Sequence, residues 1–134
     1  MIDNMVTVIK EFTFDSAHWL PDYVGPCNNM HGHTYKLQVG LQGEVKRETG
    51  MVVDFGEVKS IIKPLVDAMD HSVLNDLSDS SKSCYMPGFP RKPTAENMVL
   101  WLAERIRFEL VAKDVRVTLV RLWETPTSYA EWTE

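Results

Sequence analysis

A strict alternation of apolar and polar residues over positions 34–45 constrains the fold of this chain more than any other feature. Tyr35, Leu37, Val39 and Leu41 occupy every second position, and the residues between them are polar or glycine. Successive side chains of a strand point to opposite faces, so this segment has one buried face and one face in water. The alternation predicts a strand of an antiparallel sheet that is covered on one side.

Three further segments show strand patterns. Residues 6–14 carry apolar side chains on alternate positions, as a strand with one buried face requires. Residues 115–123 and 127–132 predict two more strands, joined by a turn at residues 124–126. The chain is therefore expected to contain four strands, two near each end.

Between these pairs of strands the apolar spacing changes to three and four residues, which predicts two amphipathic helices. Asp54 is a suitable N-cap for the first helix, and Glu57 stands three residues later, as in a capping box. Pro64 removes one backbone donor inside that helix. Thr94 is a suitable N-cap for the second helix, which is expected to end before Asp114.

Length and composition predict one globular domain spanning residues 1–134. The chain has 44% hydrophobic and 25% charged residues, with 14 basic against 19 acidic side chains and a net charge of -5. This balance offers no general attraction to nucleic acid or to an anionic membrane. There is no apolar run of membrane-spanning length and no export signal at the N-terminus, so a cytoplasmic location with Cys27 and Cys84 as free thiols is expected.

The order strand, strand, helix, helix, strand, strand predicts an α+β fold, a four-stranded antiparallel sheet with two helices on one face. Too little chain is left to cover the other sheet face and the two edge strands. We therefore expect subunits to associate, with their sheets joined into a continuous barrel.

Three of the four histidines lie close together in the sequence, at His18, His31 and His33. In an extended segment His31 and His33 point to the same face, with Gly32 leaving room between them. If the first two strands pair antiparallel, His18 lies near His33 at the same sheet end. Three neutral imidazoles leave one open position on a tetrahedral zinc ion, which is typical of a catalytic site.

Two other interpretations of this segment remain open. The histidines could be unrelated polar residues. Cys27 could be a fourth zinc ligand in a closed structural site or a thiol without a role. Beside the metal, however, the positive charge would lower the pKa of the Cys27 thiol and make it a usable base.

Other candidate residues carry weaker signals on their own. In Asp70-His71 a carboxylate next to an imidazole could orient it for proton transfer, but such pairs at helix ends are more often caps. Glu124 could be an ordinary turn residue. Thr94 and Glu96 are equally well explained as a helix cap and an acidic first-turn residue.

Six motifs follow one another along the chain. They are Phe14-Asp15-Ser16-Ala17-His18, Cys27-x3-His31-Gly32-His33, Thr49-Gly50-Met51-Val52-Val53-Asp54-Phe55, Asp70-His71-x2-Leu74-Asn75, Pro93-Thr94-x-Glu96-Asn97 and Glu124-Thr125. In this order they resemble the family of 6-pyruvoyl-tetrahydropterin synthase and 6-carboxytetrahydropterin synthase. The resemblance covers nearly the whole chain.

The resemblance implies the tunnelling fold, usually a homohexamer built as a dimer of trimers with active sites between subunits, and a dihydropterin substrate. It also implies a role for each matching residue, as follows: zinc ligands His18, His31 and His33; catalytic thiol Cys27; proton-transfer pair Asp70 and His71; pterin anchor Glu124, helped by Thr94 and Glu96. Trp19 stands where arginine commonly follows the first histidine in this family. The resemblance therefore does not indicate which residues bind the phosphate tail of the substrate. Cys84 matches no family position.

The short spacing between Cys27 and His31 resembles the bacterial, carboxy-forming branch. This implies conversion of 7,8-dihydroneopterin triphosphate to 6-carboxy-5,6,7,8-tetrahydropterin, with release of acetaldehyde and triphosphate, on the route to queuosine. The main alternative is the pyruvoyl-forming reaction of biopterin synthesis. Sepiapterin cleavage, an aldolase-like activity, a non-catalytic zinc and pterin-binding module and a structural zinc protein are the others.

Overall fold

The computed structural model describes residues 2–134, which form one mixed β-sheet and two α-helices. The elements in chain order are β1 (Met5–His18), β2 (His31–Glu44), α1 (Phe55–Met69), β3 (Ser72–Val73), α2 (Ala95–Glu109), β4 (Arg116–Thr125) and β5 (Ser128–Thr133). Short 3₁₀ turns cover Pro26–Asn28 and Leu74–Ser78. None of the helices in this part of the chain has the length and hydrophobicity needed to cross a bilayer.

The sheet is built around one long antiparallel hairpin. Its strand order is β3-β1-β2-β4-β5, and β1 and β2 pair along 14 residues each. β2 continues the antiparallel pattern to β4, and β4 to β5. Within residues 2–134 the sheet is open, with β5 at one edge.

The predicted four-stranded, purely antiparallel sheet was wrong in one respect: a fifth strand, β3, pairs parallel to β1 through Ser72 and Val73. Two residues are too few to show any periodicity in the sequence. The pairing arises because His71 takes a left-handed backbone conformation, with φ of 56°, after α1 ends. This bend returns the chain alongside β1, where the His71 N–H donates to the Asp15 carbonyl.

The first two strands are longer than their apolar patterns predict. β1 continues past Phe14 to His18 because Ser16 and His18 keep the alternation and are buried, although they are polar. β2 begins at His31, because the partly buried His31 and His33 continue the alternation on the covered face. The apolar pattern underestimates the length of both strands, because the residues on the covered face are polar at this end of the sheet.

The hydrophobic core lies between the helices and one face of the sheet. The apolar β2 residues of the predicted strand are fully buried. α1 packs against β1, and α2 packs against β4 and β5. Phe14 stacks on Tyr35 with ring centroids 4.9 Å apart. The prediction of an α+β architecture with both helices on one face is therefore confirmed.

Both helices begin where their caps were predicted. The Asp54 carboxylate accepts from the Gly56 N–H at 2.7 Å, and Thr94 Oγ1 accepts from the Asn97 N–H at 3.1 Å. Glu57 does not complete a capping box, since its side chain accepts instead from Lys113 Nζ. Pro64 lies within α1, which nevertheless continues to Met69.

We expect Asp54→Ala to lower the free energy of unfolding by about 1 kcal/mol, because the first turn of α1 loses a side-chain acceptor for a backbone donor. Asp54→Asn keeps an acceptor and should stay close to the wild type. Urea denaturation at one fixed protein concentration measures both. Equal losses in the two variants would contradict a capping role.

Candidate metal centre and active site

The register between β1 and β2 brings the three histidines together. His18 is paired directly with His31, and Ser16 with His33, so all three imidazoles lie at one end of the covered sheet face. Their ring centroids are separated by 4.6 to 5.2 Å. A Cβ atom at Gly32 would lie 3.6 Å from the Ser16 carbonyl oxygen, an ordinary contact, so this chain alone does not require glycine between the two rings.

Glu124, near the end of β4, joins this cluster. Its Oε1 atom lies 3.2 Å from His18 Nε2 and 3.1 Å from His33 Nε2. One donor atom from each of His18, His31, His33 and Glu124 lies within 4.8 Å of all the others. The sequence interpretation of Glu124 as a pterin anchor did not include this contact with the histidines.

Backbone carbonyls fix the tautomers of two of these rings. Nδ1 of His18 donates to the Pro93 carbonyl at 2.8 Å, and Nδ1 of His31 donates to the Asn29 carbonyl at 2.7 Å. A neutral imidazole with a proton on Nδ1 has a lone pair on Nε2. Both rings therefore direct a free Nε2 lone pair away from the carbonyl that holds them.

The environment of the cluster lowers the pKa of one imidazole and of the carboxylate. Burial lowers the pKa of His33, Glu124 opposes this, and the other two histidines lower it further. The adjacent His18 side chain is the main cause of a lowered pKa at Glu124, against an opposing effect of burial. These directions favour a neutral His33 and an ionised Glu124.

With neutral rings, the cluster consists of acceptors that face one another. Nε2 of His18 and Nε2 of His33 are buried and have no hydrogen-bond partner. Buried lone pairs next to a carboxylate oxygen are unfavourable unless a cation lies among them. Imidazole nitrogens and a carboxylate oxygen are common ligands of transition metals. The four side chains therefore fit a metal ion.

Cys27 lies close to this end of the sheet but outside the cluster. It belongs to the 3₁₀ turn between β1 and β2, where its carbonyl accepts from the Leu20 N–H at 2.8 Å. The thiol is partly buried. Among the described residues its sulfur is not one of the four donor atoms that lie within 4.8 Å of one another.

Asp70 and His71 form a second cluster with Asp15. Asp70 Oδ2 accepts from His71 Nδ1 at 2.9 Å, and Asp70 Oδ1 accepts from the Asp15 N–H at 2.8 Å. The carboxylate therefore holds the proton of His71 on Nδ1 and leaves Nε2 able to accept one. The His71 side chain is 79% exposed, so this nitrogen is accessible.

The segment that carries this pair is bonded closely to the end of β1. Ser16 Oγ donates to the Met69 carbonyl. The buried Asn75 amide accepts from the Trp19 N–H at 3.1 Å and donates to the Trp19 carbonyl at 3.0 Å. Trp19 directly follows His18, so Asn75 holds the backbone next to the histidine cluster. Its role was not recognised from the sequence, although it belongs to a quoted motif.

Two of the residues predicted to bind the substrate line a groove next to the histidine cluster. Glu96, in the first turn of α2, and Glu124 both line this groove of about 600 Å³, together with Tyr129 and Trp132. Thr94 is the N-cap of α2. His71 lines a different open groove of about 490 Å³, which also reaches His33.

The fold and the cluster define a class, α+β proteins with a three-histidine site at one sheet end. A model of the 6-pyruvoyl tetrahydropterin synthase family matches residues 7–134, and the chain belongs to this family. It is an enzyme, a lyase of the pterin-synthase type.

Three relatives illustrate the range of the family. The 6-carboxy-5,6,7,8-tetrahydropterin synthase of Haemophilus influenzae is 36% identical over 97% of this chain and 100% of that protein. The dihydroneopterin monophosphate aldolase of Pyrococcus furiosus is 35% identical over 87% of this chain and 88% of that protein. The solved 6-pyruvoyl tetrahydropterin synthase of Caenorhabditis elegans has a TM-score of 0.82 and 26% identity, covering 98% of this chain and 97% of that one.

We expect Asp70 to make stability depend on pH in the acidic range. The Asp15 N–H and then His71 hold the pKa of Asp70 below its ordinary value. Ionised Asp70 therefore stabilises the fold above the unfolded-state pKa of about 3.9, and this contribution is lost as the pH falls through the folded-state pKa.

Asp70→Asn keeps an acceptor for Asp15 but does not titrate. Its free energy of unfolding should lie below that of the wild type near neutral pH, and the difference should shrink as the pH is lowered from about 5 to about 2. Denaturant titrations at each pH measure it. A difference that does not change with pH would contradict this assignment.

Proposed function

We propose that this enzyme converts 7,8-dihydroneopterin triphosphate to 6-carboxy-5,6,7,8-tetrahydropterin, releasing acetaldehyde and triphosphate, with a zinc ion held by His18, His31 and His33. The observation that carries the proposal is the cluster of buried imidazole nitrogens without partners in a chain of this family. The product would enter the synthesis of queuosine.

Zinc is the metal that suits the site best. Three neutral imidazoles are the ligand set of many catalytic zinc sites, and the carbonyls of Pro93 and Asn29 orient two of the rings by accepting from their Nδ1 atoms. When bound, zinc would polarise the hydroxyl oxygens of the substrate side chain and make the neighbouring carbon-bound hydrogens more acidic.

The pterin ring is assigned to the groove beside the metal cluster. A carboxylate at Glu124 can accept two parallel hydrogen bonds from the amino-pyrimidine edge of the ring. Glu96 lines the same groove, and Thr94 caps the helix that carries Glu96. These residues would orient the side chain of the substrate toward the histidines.

Proton transfer is assigned to Cys27 and to the Asp70-His71 pair. Cys27 would act as a base on one side of the substrate, because its thiol lies outside the four-donor cluster. His71 Nε2 would accept or return a proton, with Asp70 holding the other ring nitrogen protonated.

We assign the complete site to more than one subunit. His71 lines a groove separate from the one that holds Glu96, and the sheet has open edges. A homohexamer made of two trimers, with the sheets of each trimer joined into a barrel, would cover these edges and could bring Asp70 and His71 of one chain to the metal of another.

Two other activities are alternatives to this reaction. The pyruvoyl-forming reaction uses the same substrate and metal. A relative 35% identical to this chain is named a dihydroneopterin monophosphate aldolase, and a retro-aldol cleavage of the side chain would release a two-carbon aldehyde that still carries its phosphate ester, instead of acetaldehyde. A zinc and pterin-binding module without turnover is the non-enzymatic alternative.

We expect Cys27→Ala to abolish turnover while one zinc per chain stays bound, because the thiol is assigned to proton transfer and not to the metal. Elemental analysis and a product assay on the same sample measure both. Cys84→Ala is the matched control and should be nearly silent, since this exposed thiol has no assigned role and contacts only the Asp76 carbonyl as a hydrogen-bond partner. Loss of zinc from Cys27→Ala would show a closed four-ligand site.

The reaction itself is tested by product analysis with the zinc-loaded enzyme and 7,8-dihydroneopterin triphosphate. We expect 6-carboxytetrahydropterin and acetaldehyde in equal amounts, and neither product from His31→Ala or His33→Ala, which should also lose the metal. A product that retains all side-chain carbons would favour the pyruvoyl reaction. A two-carbon aldehyde that keeps the triphosphate would favour the aldolase, and binding without any product would favour the non-catalytic module.

A further inference from the structure

The position of Glu124 raises a question that its assignment as a pterin anchor does not answer. A carboxylate whose only role is to bind a pterin ring should have both oxygens directed into the groove. Glu124 lines the groove, but its Oε1 atom lies 3.2 Å from His18 Nε2 and 3.1 Å from His33 Nε2. Within residues 2–134, these imidazoles are the only basic side chains within salt-bridge distance of Glu124.

These distances are those of ligands around one small cation. Corners of a tetrahedron lie about 3.3 Å apart when each is roughly 2.0 Å from the centre, the usual length of zinc bonds to nitrogen and oxygen. The Glu124 oxygen keeps this separation from two of the imidazole nitrogens, and all four donors lie within 4.8 Å of one another. Glu124 is thus placed as a donor of the same set.

Hydrogen bonding does not explain the contact equally well. His18 donates its Nδ1 proton to Pro93, so its Nε2 is an acceptor facing another acceptor. A cation shared by the nitrogens and the oxygen removes the repulsion without protonating either ring.

We propose that Glu124 is the fourth metal ligand of the substrate-free enzyme and exchanges the metal for the pterin ring when substrate binds. The proposal rests on the proposed function, since it needs both a metal and a pterin. In the substrate-free enzyme the Glu124 carboxylate would occupy the fourth position on the metal. It would leave that position when it accepts hydrogen bonds from the amino-pyrimidine N–H groups of the substrate. Substrate oxygens would then find a free position on the metal.

The exchange links recognition of the ring to activation of the side chain. A molecule without N–H donors matching the carboxylate would leave Glu124 on the metal and keep the fourth position closed. Glu124 is therefore a specificity-determining residue as well as an anchor.

The test compares metal binding by the metal-free wild type, Glu124→Gln, Glu124→Asp and Glu11→Gln. Glu11 lies on the opposite face of the sheet, where it accepts from Gln38, so its replacement makes the same change in net charge away from the cluster. Competition with a coloured chelator gives zinc affinity, and the visible absorption of the cobalt-loaded proteins reports the ligand set. Far-UV circular dichroism verifies that each variant is folded.

We expect zinc to bind Glu124→Gln roughly tenfold or more weakly than the wild type, with Glu124→Asp between them and Glu11→Gln unchanged. The cobalt absorption of Glu124→Gln should differ from that of the wild type. Zinc affinity and cobalt absorption that match the wild type in folded Glu124→Gln would overturn the proposal and leave the proposed function standing.

The release step is tested with 7,8-dihydroneopterin, whose binding to the cobalt-loaded wild type is followed by equilibrium dialysis. Bound pterin should change the cobalt absorption, whereas bound pterin with unchanged absorption would overturn the exchange. Failure of the wild type to bind zinc, or to bind the pterin, would instead contradict the proposed function on which the exchange rests.

Discussion

The antiparallel pairing of β1 with β2 is the interaction on which the rest of the structure depends. It sets Phe14 opposite Tyr35 in the core and His18 opposite His31 at the site. Side chains alternate between the two faces of a strand. A register shift of one residue would therefore expose the apolar side chains of one strand to water and move His18 away from His31 and His33. Core packing and the geometry of the metal centre are therefore specified by the same register.

Most of the fold could be predicted because its elements have strong periodicity and clear caps. Three of these features depend only on residues that are neighbours in the sequence: the alternation beginning at Tyr35 and the caps at Asp54 and Thr94. The structure contains all three. β3 could not be predicted, because a two-residue strand has no period. Its position depends on the left-handed conformation of His71, which the sequence does not mark.

The site was predictable to the extent that its members are close in sequence or carry distinctive chemistry. The proximity of His18, His31 and His33 follows from spacing and an assumed hairpin. The contact of Glu124 with the histidines does not, since it depends on the register of a strand about ninety residues further on. The support from Pro93 is harder still to foresee, because a backbone carbonyl has no residue type by which to recognise it.

The Pro93 carbonyl limits how the loop before α2 can vary. The loop between the 3₁₀ turn at Leu74–Ser78 and α2 ends at Pro93, whose carbonyl orients His18. No substitution can delete a backbone oxygen, so only a displacement of the chain can remove this support. Insertions near Ser80, on the exposed part of the loop, leave the end of the loop anchored by the Thr94 cap. The exposed part of the loop can thus diverge among descendants of this chain, whereas Phe89 stays in the core and Pro93 keeps the tautomer of a histidine that is distant in sequence.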